Sequence, residues 1–216
     1  MKSYVVIGLG LFGGEIAKKL YELGQEVIAI DKKEDFINEV ADSVTRAAVG
    51  DATDPQVLKA LGVKNCDCAV VAVGSDLGAS VLTTMNLKKL GIPYIVCKAQ
   101  NETHRMILEK IGADQVIIPE HVVADKIARS LATPNIMEYI ELSNDYGIIE
   151  RKAPAGWEGK TLREMNIRAK YGVDIIAVRN GDKIRVSPGA DYKFGNESDL
   201  VVLGDYDSLE KFKKIK

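Results

Sequence analysis

Gly8, Gly10 and Gly13 have the spacing of a loop that cradles a phosphate. They follow an apolar run typical of a β-strand and open a stretch with the apolar spacing of a helix. In that setting Gly8 permits a tight turn, Gly10 lets the backbone approach a phosphate, and Gly13 lets the helix pack closely on the strand. The N-terminus of the helix then offers unpaired N–H groups to an anion, so the sequence predicts a nucleotide-phosphate site.

An acidic residue, Asp31, ends the second apolar run, about twenty residues after the glycines. A carboxylate at this place can accept hydrogen bonds from both ribose hydroxyls of an adenosine. It would repel a 2′-phosphate, so NADP is disfavoured.

A polar loop, Gly50–Asp54, follows the third apolar run. At the carboxyl end of a parallel sheet this loop would line the adenine side of the crevice. It can also start the next helix, because Thr53 or Asp54 is a good N-cap and Pro55 then occupies the first helical position. We expect Asp51 in the site and Asp54 as the cap.

Lys98 ends the fifth apolar run beside the expected crevice, where it either faces a phosphate or is a solvated lysine. Its spacing from Tyr94 matches the Tyr-x-x-x-Lys pair of short-chain dehydrogenases. That chemistry needs the two residues one helical turn apart, whereas in a strand they lie roughly 13 Å apart at ~3.3 Å per residue. The match therefore predicts no catalytic pair.

The cysteines and histidines give no catalytic or metal signal. Cys66 and Cys68 lack the further ligands that zinc needs, and with Cys97 they do not make a disulfide framework. Neither His104 nor His121 stands in a context that suggests a base with an orienting acid. We expect both histidines at surface or interface positions.

The composition limits the class of protein. The 216 residues, 46% of them apolar, are enough for an ordinary domain and a small one. The net charge of −2 gives no argument for binding nucleic acid or an anionic membrane. No apolar run approaches the ~18–20 residues of a membrane span, and the N-terminus lacks a signal-peptide pattern. We therefore expect an intracellular protein with reduced thiols.

The elements that position these residues are visible in the sequence as short apolar runs. Between the runs lie segments whose apolar residues have the spacing of a helix. The runs lack clean polar alternation, and strands that are apolar on both faces are typical of a parallel sheet covered by helices. They span Ser3–Gly8, Glu26–Ile30, Thr45–Val49, Cys68–Val73, Tyr94–Cys97 and Gln115–Ile118. This repeated alternation predicts an α/β fold with a Rossmann-like doubly wound parallel sheet.

The pattern changes after Ile118. Pro119–Ala132 has the spacing of a single helix, which residues 133–135 interrupt. From about Tyr146 onward, strand patterns alternate polar and apolar residues, at Ile148–Arg151, Asp174–Arg179 and Lys183–Val186. A last apolar strand, Asp199–Leu203, precedes a charged helix at Asp207–Lys216. This predicts a second, smaller α+β domain. We expect a first domain over residues 1–133, a linker over 134–145 and a second domain over 146–216.

These motifs together resemble a known family. The runs VIGLGLFGGEIAKKL, GDATD, VKNCDCAVVAVG, TTMNLKKLGIP, KAQN and GADQVIIPE resemble the RCK domain, also called KTN. The run NIRAKYGVDIIAVRNGDKIRVSP and the strand DLVVLG resemble its C-terminal companion. The resemblance covers nearly the whole chain, with both motif sets in the order that the family has. It implies a TrkA-N plus TrkA-C chain, a cytoplasmic regulatory subunit of a Trk/Ktr-type potassium uptake system.

The resemblance implies a non-enzymatic function in potassium ion transport. Such subunits bind ATP, ADP or NAD(H), dimerise through the helix after the sixth strand, and assemble into an octameric ring. The gating ring docks under a membrane potassium-channel dimer, which places it peripherally at the inner face of the membrane. Its nucleotide-dependent shape opens or closes the pore.

Residue by residue, the resemblance implies three sets of contacts. The nucleotide set is Gly8, Gly10, Leu11, Phe12, Asp31, Asp51, Ala52, Val73, Gly74 and Lys98. Glu120 matches the acid that holds a divalent cation or Na⁺ near the terminal phosphate at the dimer seam. In some members the C-terminal domain binds cyclic di-AMP between two subunits, and the matching residues are Arg168, Ile175, Ile176 and Pro188.

Leu11 departs from the family pattern. Many ATP-responsive members have Arg at this position, which reaches a phosphate of the neighbouring subunit. Loss of that cation should weaken discrimination for a triphosphate, and ADP and NAD become rivals of ATP.

Two other function classes are weaker. A small NAD-dependent oxidoreductase is the alternative, but the second domain offers no His, Tyr–Lys pair or nucleophile aimed at the crevice. A nucleotide-binding transcription factor needs a basic recognition helix, and the candidate stretch Asp125–Arg129 is mixed in charge.

Overall fold

The first of two units, Met1–Glu120, is built on a six-stranded parallel sheet in the computed structural model of the chain, which describes residues 1–74, 76–132, 136–143, 145–195 and 198–215. The strands are β1 Ser3–Ile7, β2 Glu26–Asp31, β3 Arg46–Val49, β4 Cys68–Val71, β5 Tyr94–Lys98 and β6 Gln115–Ile117. They lie in the order β3-β2-β1-β4-β5-β6. Strands β2 and β3 therefore lie on one side of β1, and β4, β5 and β6 lie on the other. A crevice forms at this switch point between β1 and β4, at the carboxyl ends of the strands.

Helices cover both faces of this sheet. They are α1 Leu11–Glu22, α2 Glu34–Val40, α3 Pro55–Ala60, α4 Leu77–Leu90 and α5 Glu102–Lys110. Leu87 of α4 and Leu108 of α5 belong to one apolar cluster, and Ala17 of α1 and Val40 of α2 belong to another. Strand side chains are therefore buried on both faces, which explains the apolar runs without alternation. The predicted Rossmann-like, doubly wound sheet is confirmed.

The second unit, His121–Lys216, contains an antiparallel five-stranded sheet. A helix, α6 Pro119–Ala132, joins the two units, and the strands that follow are β7 Ile136–Glu141, β8 Tyr146–Lys152, β9 Asp174–Asn180, β10 Lys183–Val186 and β11 Ser198–Asp205. The sheet order is β10-β9-β11-β8-β7. Three helices, α7 Leu162–Met165, α8 Ile167–Tyr171 and α9 Tyr206–Lys213, complete the predicted smaller α+β domain.

The core of the second unit contains an aromatic cluster among aliphatic side chains. Trp157, Phe194 and Phe212 are all nearly inaccessible to water. The Trp157 ring centroid lies 5.3 Å from that of Phe194 and 5.9 Å from that of Phe212. Tilted and edge-on contacts of this kind add to the stabilisation that burial provides.

The structure divides the chain differently from the expected boundaries. The boundary between the two units falls after Glu120 in the sequence, so α6 from His121 onward groups with the second unit, whereas the expected first domain ends at residue 133. The expected linker, 134–145, contains β7, which pairs with β8 through backbone hydrogen bonds and so belongs to the second sheet. The predicted helix interruption at residues 133–135 lies outside the described residues.

Candidate nucleotide-binding site

A cavity of about 650 Å³ opens where strands β1, β2, β4 and β5 end. We call it the switch-point cavity. Its volume falls within the ~300–1,000 Å³ range of small-molecule sites. The structure brings all ten predicted nucleotide residues and Glu120 to its wall: Gly8, Gly10, Leu11, Phe12, Asp31, Asp51, Ala52, Val73, Gly74, Lys98 and Glu120. That these residues hold a nucleotide remains a prediction.

The glycine loop has the geometry that close approach of a phosphate requires. A Cβ on Gly13 would lie 1.9 Å from the carbonyl oxygen of Gly8, so only glycine allows the start of α1 to pack here. A Cβ on Gly10 would meet nothing within 4 Å, so this position faces open space. Gly10 gives α1 no side-chain cap, and the first turn holds no acidic residue. The helix N-terminus is therefore open to an anion.

Asp31 is fixed by the backbone on both of its oxygens. Oδ2 accepts a hydrogen bond from the N–H of Leu9 at 2.6 Å, and Oδ1 accepts one from the N–H of Lys33 at 2.8 Å. Each carboxylate oxygen keeps a second lone pair for a hydroxyl donor. The carboxylate is thereby tied to the glycine loop and oriented at the cavity wall, which suits contact with ribose hydroxyls.

Asp51 and Asp54 divide the two roles that the sequence suggested for their loop. Asp54 is the N-cap of α3, since its Oδ1 accepts the N–H of Gln56 at 2.8 Å. Asp51 lines the cavity and accepts the Thr53 hydroxyl at 2.6 Å and Lys32 Nζ at 3.0 Å. The Thr53 hydroxyl is the largest cause that lowers the pKa of Asp51, and the Thr53 amide and Lys32 act in the same direction. Asp51 is therefore ionised at neutral pH.

Lys98 is not a freely solvated lysine. Its Nζ donates to Glu120 Oε1 at 2.8 Å and lies 5.6 Å from the ring centroid of Phe12. The Lys98 side chain is 19% exposed, whereas that of Glu120 is 64% exposed. The ammonium group is thus held at the cavity wall beside the glycine loop, where it can contact an anionic ligand.

The described residues of one chain do not complete the predicted cation site at Glu120. Among the described residues there is no group of three or more His, Cys, Asp or Glu side chains that could hold a metal ion. Glu120 accepts a hydrogen bond from Lys98, so a hard cation at this carboxylate needs oxygen atoms from a nucleotide or from a second copy of the chain. The cation site remains a prediction.

Several cavity residues were not predicted from the sequence. Lys32, Phe36, Thr83 and Gln100 also line the switch-point cavity. Lys32 directly follows the end of β2, and Gln100 lies two residues after the end of β5. Polar residues just beyond the carboxyl ends of parallel strands are a sequence signal for such a site. Phe36 and Thr83 lie on helices, and only the tertiary fold brings them to the cavity.

The expectation that His104 lies at a surface or interface is wrong. His104 is 3% exposed, because α5 directs the imidazole towards α4, where Nε2 lies 3.1 Å from the Ser80 hydroxyl. Burial also raises the pKa of the Cys66 and Cys97 thiols to about 11. Both thiols are therefore protonated at neutral pH.

The four predicted cyclic di-AMP residues lie at the start of β9 and next to it. Arg168 of α8 contacts the Asp174 carboxylate with its Nε at 3.3 Å, and Asp174 directly precedes Ile175 and Ile176. Pro188 follows Ser187, whose N–H donates to the Ile176 carbonyl at 2.8 Å. The four residues share one neighbourhood of the second unit, and binding there remains a prediction.

A doubly wound parallel sheet, with a glycine loop at the uncapped N-terminus of α1 and a carboxylate at the end of β2, defines a Rossmann-like class of protein. Comparison with known families then identifies the family within this class. Residues 4–119 match the family model of the TrkA-N domain, and residues 148–216 match that of the TrkA-C domain. The chain belongs to this TrkA-N/TrkA-C family, so the RCK resemblance of the sequence is confirmed.

Relatives extend over the whole chain. The chain is 44% identical over 213 residues to Ktr system potassium uptake protein C of Bacillus subtilis (strain 168), covering 99% of this chain and 96% of that protein. It is 41% identical over 211 residues to Ktr system potassium uptake protein A of the same organism, covering 98% and 95%.

A solved structure, the GsuK channel bound to NAD, shares the fold. The TM-score is 0.67 at 18% identity over 99% of this chain. The chain spans only 39% of the length of that channel chain. Within the part of the chain that the structure describes, the helices include none that is both long and apolar enough to cross a membrane.

Proposed function

We propose that this chain is a nucleotide-sensing regulatory subunit of a potassium uptake system. The observation that carries the proposal is the switch-point cavity, with its open helix N-terminus, oriented Asp31 and Lys98, in a chain that is 44% identical to a Ktr system protein. The function is non-enzymatic: the nucleotide is an effector that is bound and released unchanged.

The ligand of the cavity is an adenosine nucleotide: ATP, ADP or NAD(H). Asp31 holds the ribose, the N-terminus of α1 receives a phosphate, and Asp51 lies towards the base. Lys98 adds a positive charge at the phosphate end, where it exchanges its contact with Glu120 for a phosphate oxygen. The volume of the cavity and the polarity of these residues support this assignment.

The partner is the membrane-embedded potassium channel subunit of a Trk/Ktr-type system. The chain acts at the cytoplasmic face of that subunit, as a homodimer that assembles into an octameric ring. The exposed apolar residues of α6, Val123 and Ile127 among them, support dimerisation through this helix. We propose functional domains at 1–133 and 146–216, and binding of cyclic di-AMP to the second through Arg168, Ile175, Ile176 and Pro188.

Regulation follows from differential affinity. A nucleotide shifts the equilibrium between two ring shapes only if it binds one of them more tightly. A site to which a neighbouring subunit contributes, as we propose for Glu120 and its cation, gives such a difference directly. The ring shape then determines whether the pore of the membrane subunit is open.

The test begins with the purified full chain. Its thermal unfolding is measured with ATP, ADP, NAD, NADH and cyclic di-AMP, since a ligand at a hundredfold excess over Kd stabilises the folded state by about 2.7 kcal/mol. Nucleotides that stabilise are then added to vesicles containing a Ktr-type membrane subunit, and Rb⁺ flux is recorded with and without the chain. Flux that depends on both chain and nucleotide supports the proposal. A chain that binds nucleotide but oxidises or reduces a substrate, and leaves flux unchanged, contradicts it.

A further inference from the structure

A buried polar cluster lies directly behind the wall of the switch-point cavity. Ser80 and Thr84 of α4 are fully inaccessible to water, and His104 of α5 is 3% exposed. Thr84 donates its hydroxyl to the Ser80 carbonyl at 2.8 Å. Buried polar groups of this kind are costly unless their hydrogen bonds are satisfied, and a satisfied network holds the elements that it joins in one arrangement.

His104 uses both ring nitrogens. Nδ1 accepts a hydrogen bond from the backbone N–H of Gln100 at 3.4 Å. Since an amide N–H can only donate, Nδ1 carries no proton, and the proton of the neutral ring is on Nε2, which donates to the Ser80 hydroxyl at 3.1 Å. The imidazole therefore joins the β5–α5 loop, residues 99–101, to α4.

Both elements that the imidazole joins also line the switch-point cavity. Lys98 and Gln100, at the end of β5 and in the loop, form one part of the wall. Ala79 and Thr83, which flank Ser80 on α4, form another. A change at His104 thus acts on two parts of the cavity wall, although His104 is not itself among the residues that line it.

We infer that neutral His104 is a positioning residue for the switch-point cavity: it holds the β5–α5 loop, and with it Lys98 and Gln100, in place against α4. This inference rests on the proposed function, because it assigns His104 a part in nucleotide binding. Protonation releases the loop, since Nδ1–H and the N–H of Gln100 would then face each other as two donors. Nucleotide affinity therefore falls on acidification.

The surroundings of His104 favour the neutral ring. Burial lowers the pKa of His104 below the usual 6.5. His104 lies in the first turn of α5, where the helix dipole also disfavours a cation.

The charged groups of the neighbouring elements have contacts of their own. On α4, Asp76 accepts the N–H of Ala79 at 2.9 Å, and Lys88 lies 3.6 Å from Asp114. At the end of β5, Cys97 is a neutral thiol, and Lys98 pairs with Glu120. On α5, Arg105 contacts both Glu102 and Glu109.

Two substitutions separate the two hydrogen bonds of His104. In His104→Asn, Oδ1 takes the place of Nδ1 and can accept from Gln100, whereas the contact with Ser80 is lost. In His104→Gln, the terminal amide takes the place of Nε2 and keeps the contact with Ser80, whereas the bond from Gln100 is lost. Each variant loses one buried hydrogen bond, so the two control for each other in stability.

Affinity for ADP is measured by calorimetry on the full chain at pH 7.5. We expect His104→Asn to bind within about twofold of the parent and His104→Gln about tenfold more weakly, as the loss of one hydrogen bond that positions the wall predicts. The parent should lose affinity relative to His104→Asn between pH 7.5 and pH 5.5. Titration of the ADP phosphates affects both proteins equally, so it cancels in the ratio of the two affinities. An equal loss of ADP affinity in both variants, together with a parent-to-His104→Asn affinity ratio that does not change with pH, would show that His104 only packs. That result would overturn the inference.

Amide hydrogen exchange without nucleotide gives an independent readout. The Gln100 amide should exchange faster in His104→Gln than in His104→Asn or in the parent. In the parent, its exchange rate, corrected for the intrinsic effect of pH, should also be higher at pH 5.5 than at pH 7.5. Equal protection of Gln100 in all three proteins overturns the positioning role. If the parent binds neither ADP nor NAD, the proposed function fails, and the exchange comparison still decides whether His104 holds the loop.

Discussion

At the scale of single residues, Asp31 has a structural role beside the ribose contact that we propose for it. Its carboxylate accepts the backbone N–H groups of Leu9 and Lys33, so it fixes the glycine loop before any nucleotide is present. The sequence indicated only the ribose contact, because position and charge are visible in a sequence while the hydrogen bond across β1 and β2 is a property of the folded sheet.

Replacing Asp31 should therefore affect both binding and stability. We expect Asp31→Ala to weaken ADP or NAD binding by ~1.5–3 kcal/mol through the lost charged hydrogen bonds to ribose. The N–H groups of Leu9 and Lys33 lose their acceptor, so unfolding becomes easier by about 1 kcal/mol while the domain still folds. Calorimetry and thermal unfolding measure the two effects. Asp42→Ala, which removes an exposed carboxylate outside the cavity, is the control, and unchanged affinity in Asp31→Ala would disprove the ribose contact.

Leu11 is the residue that most directly tests nucleotide preference. It lines the switch-point cavity and is 89% exposed, so a longer cationic side chain fits without repacking. We expect Leu11→Arg to raise the affinity for ATP relative to ADP about fivefold, as one exposed cation near an added phosphate contributes about 1 kcal/mol.

The control for Leu11→Arg is Leu23→Arg, which places the same charge on another exposed leucine, 63% accessible, outside the cavity lining. Competition binding of ATP against ADP measures the ratio in both proteins. An equal rise in the two variants would mean that net charge, rather than position 11, sets the preference.

At the scale of elements, two glycines between β1 and α1 have different roles: Gly13 allows the two elements to pack, and Gly10 leaves room for a ligand. Gly13→Ala places a methyl group 1.9 Å from the Gly8 carbonyl oxygen and 2.9 Å from Ala72 Cβ, so we expect a loss of about 3 kcal/mol in unfolding free energy. Gly10→Ala meets no atom within 4 Å and should leave stability within about 0.5 kcal/mol of the parent.

Nucleotide binding should show the opposite sensitivity at Gly10. If a phosphate lies against this backbone, the added methyl group of Gly10→Ala occupies its place and affinity falls by about tenfold or more. Chemical denaturation and calorimetry on both variants measure the two quantities. Unchanged nucleotide affinity in Gly10→Ala would show that the phosphate does not lie against the glycine loop.

The elements differ in how far the sequence could predict them. The predicted bounds of α6 and β10 agree with the structure, because a helix of fourteen residues and an alternating strand after an Asn-Gly-Asp turn have clear periods. Helices α7 and α8 were not predicted, since four and five residues are too few to show a period. A capping box between Thr161 and Glu164 and the left-handed Asn166 define them instead.

Residues of the cavity divide in the same way. The glycine loop, Asp31 and Asp51 could be predicted because strand ends of a doubly wound sheet converge on one place. Gln100, Thr83 and the buried His104 could not, because their positions depend on how α4 and α5 pack across β5. A lone histidine in an amphipathic stretch has no sequence signal that distinguishes a buried partner of Ser80 from an exposed side chain.

At the scale of the whole molecule, Glu120 tests whether subunits share the nucleotide site. Two symmetry-related carboxylates close to terminal phosphates would repel each other unless a cation lay between them. We expect Mg²⁺ or Ca²⁺ to raise ADP affinity about tenfold in the parent and much less in Glu120→Gln, measured by calorimetry with and without chelator.

The matched control for Glu120→Gln is Glu102→Gln, because Glu102 also occupies the first turn of a helix but lies outside the cavity lining. A carboxylate that only complements the helix dipole stabilises by ~0.3–1 kcal/mol and has no effect on cation dependence. The same cation dependence in both variants would remove Glu120 from the site.

Assembly is the property on which the proposed gating ring depends. Val123, Ile127 and Leu131 are spaced four residues apart on α6, and each is more than half exposed in the single chain. Such an apolar stripe is typical of a helix that packs against another.

We expect sedimentation equilibrium of the parent to show a species of several dimers, and Ile127→Asp to yield smaller species, because a charge buried in a helix interface without a partner costs several kcal/mol. Leu23→Asp, at an exposed leucine on the first unit, should leave the assembly intact; equal dissociation of both variants, or a monomeric parent, would exclude α6 as the assembly helix.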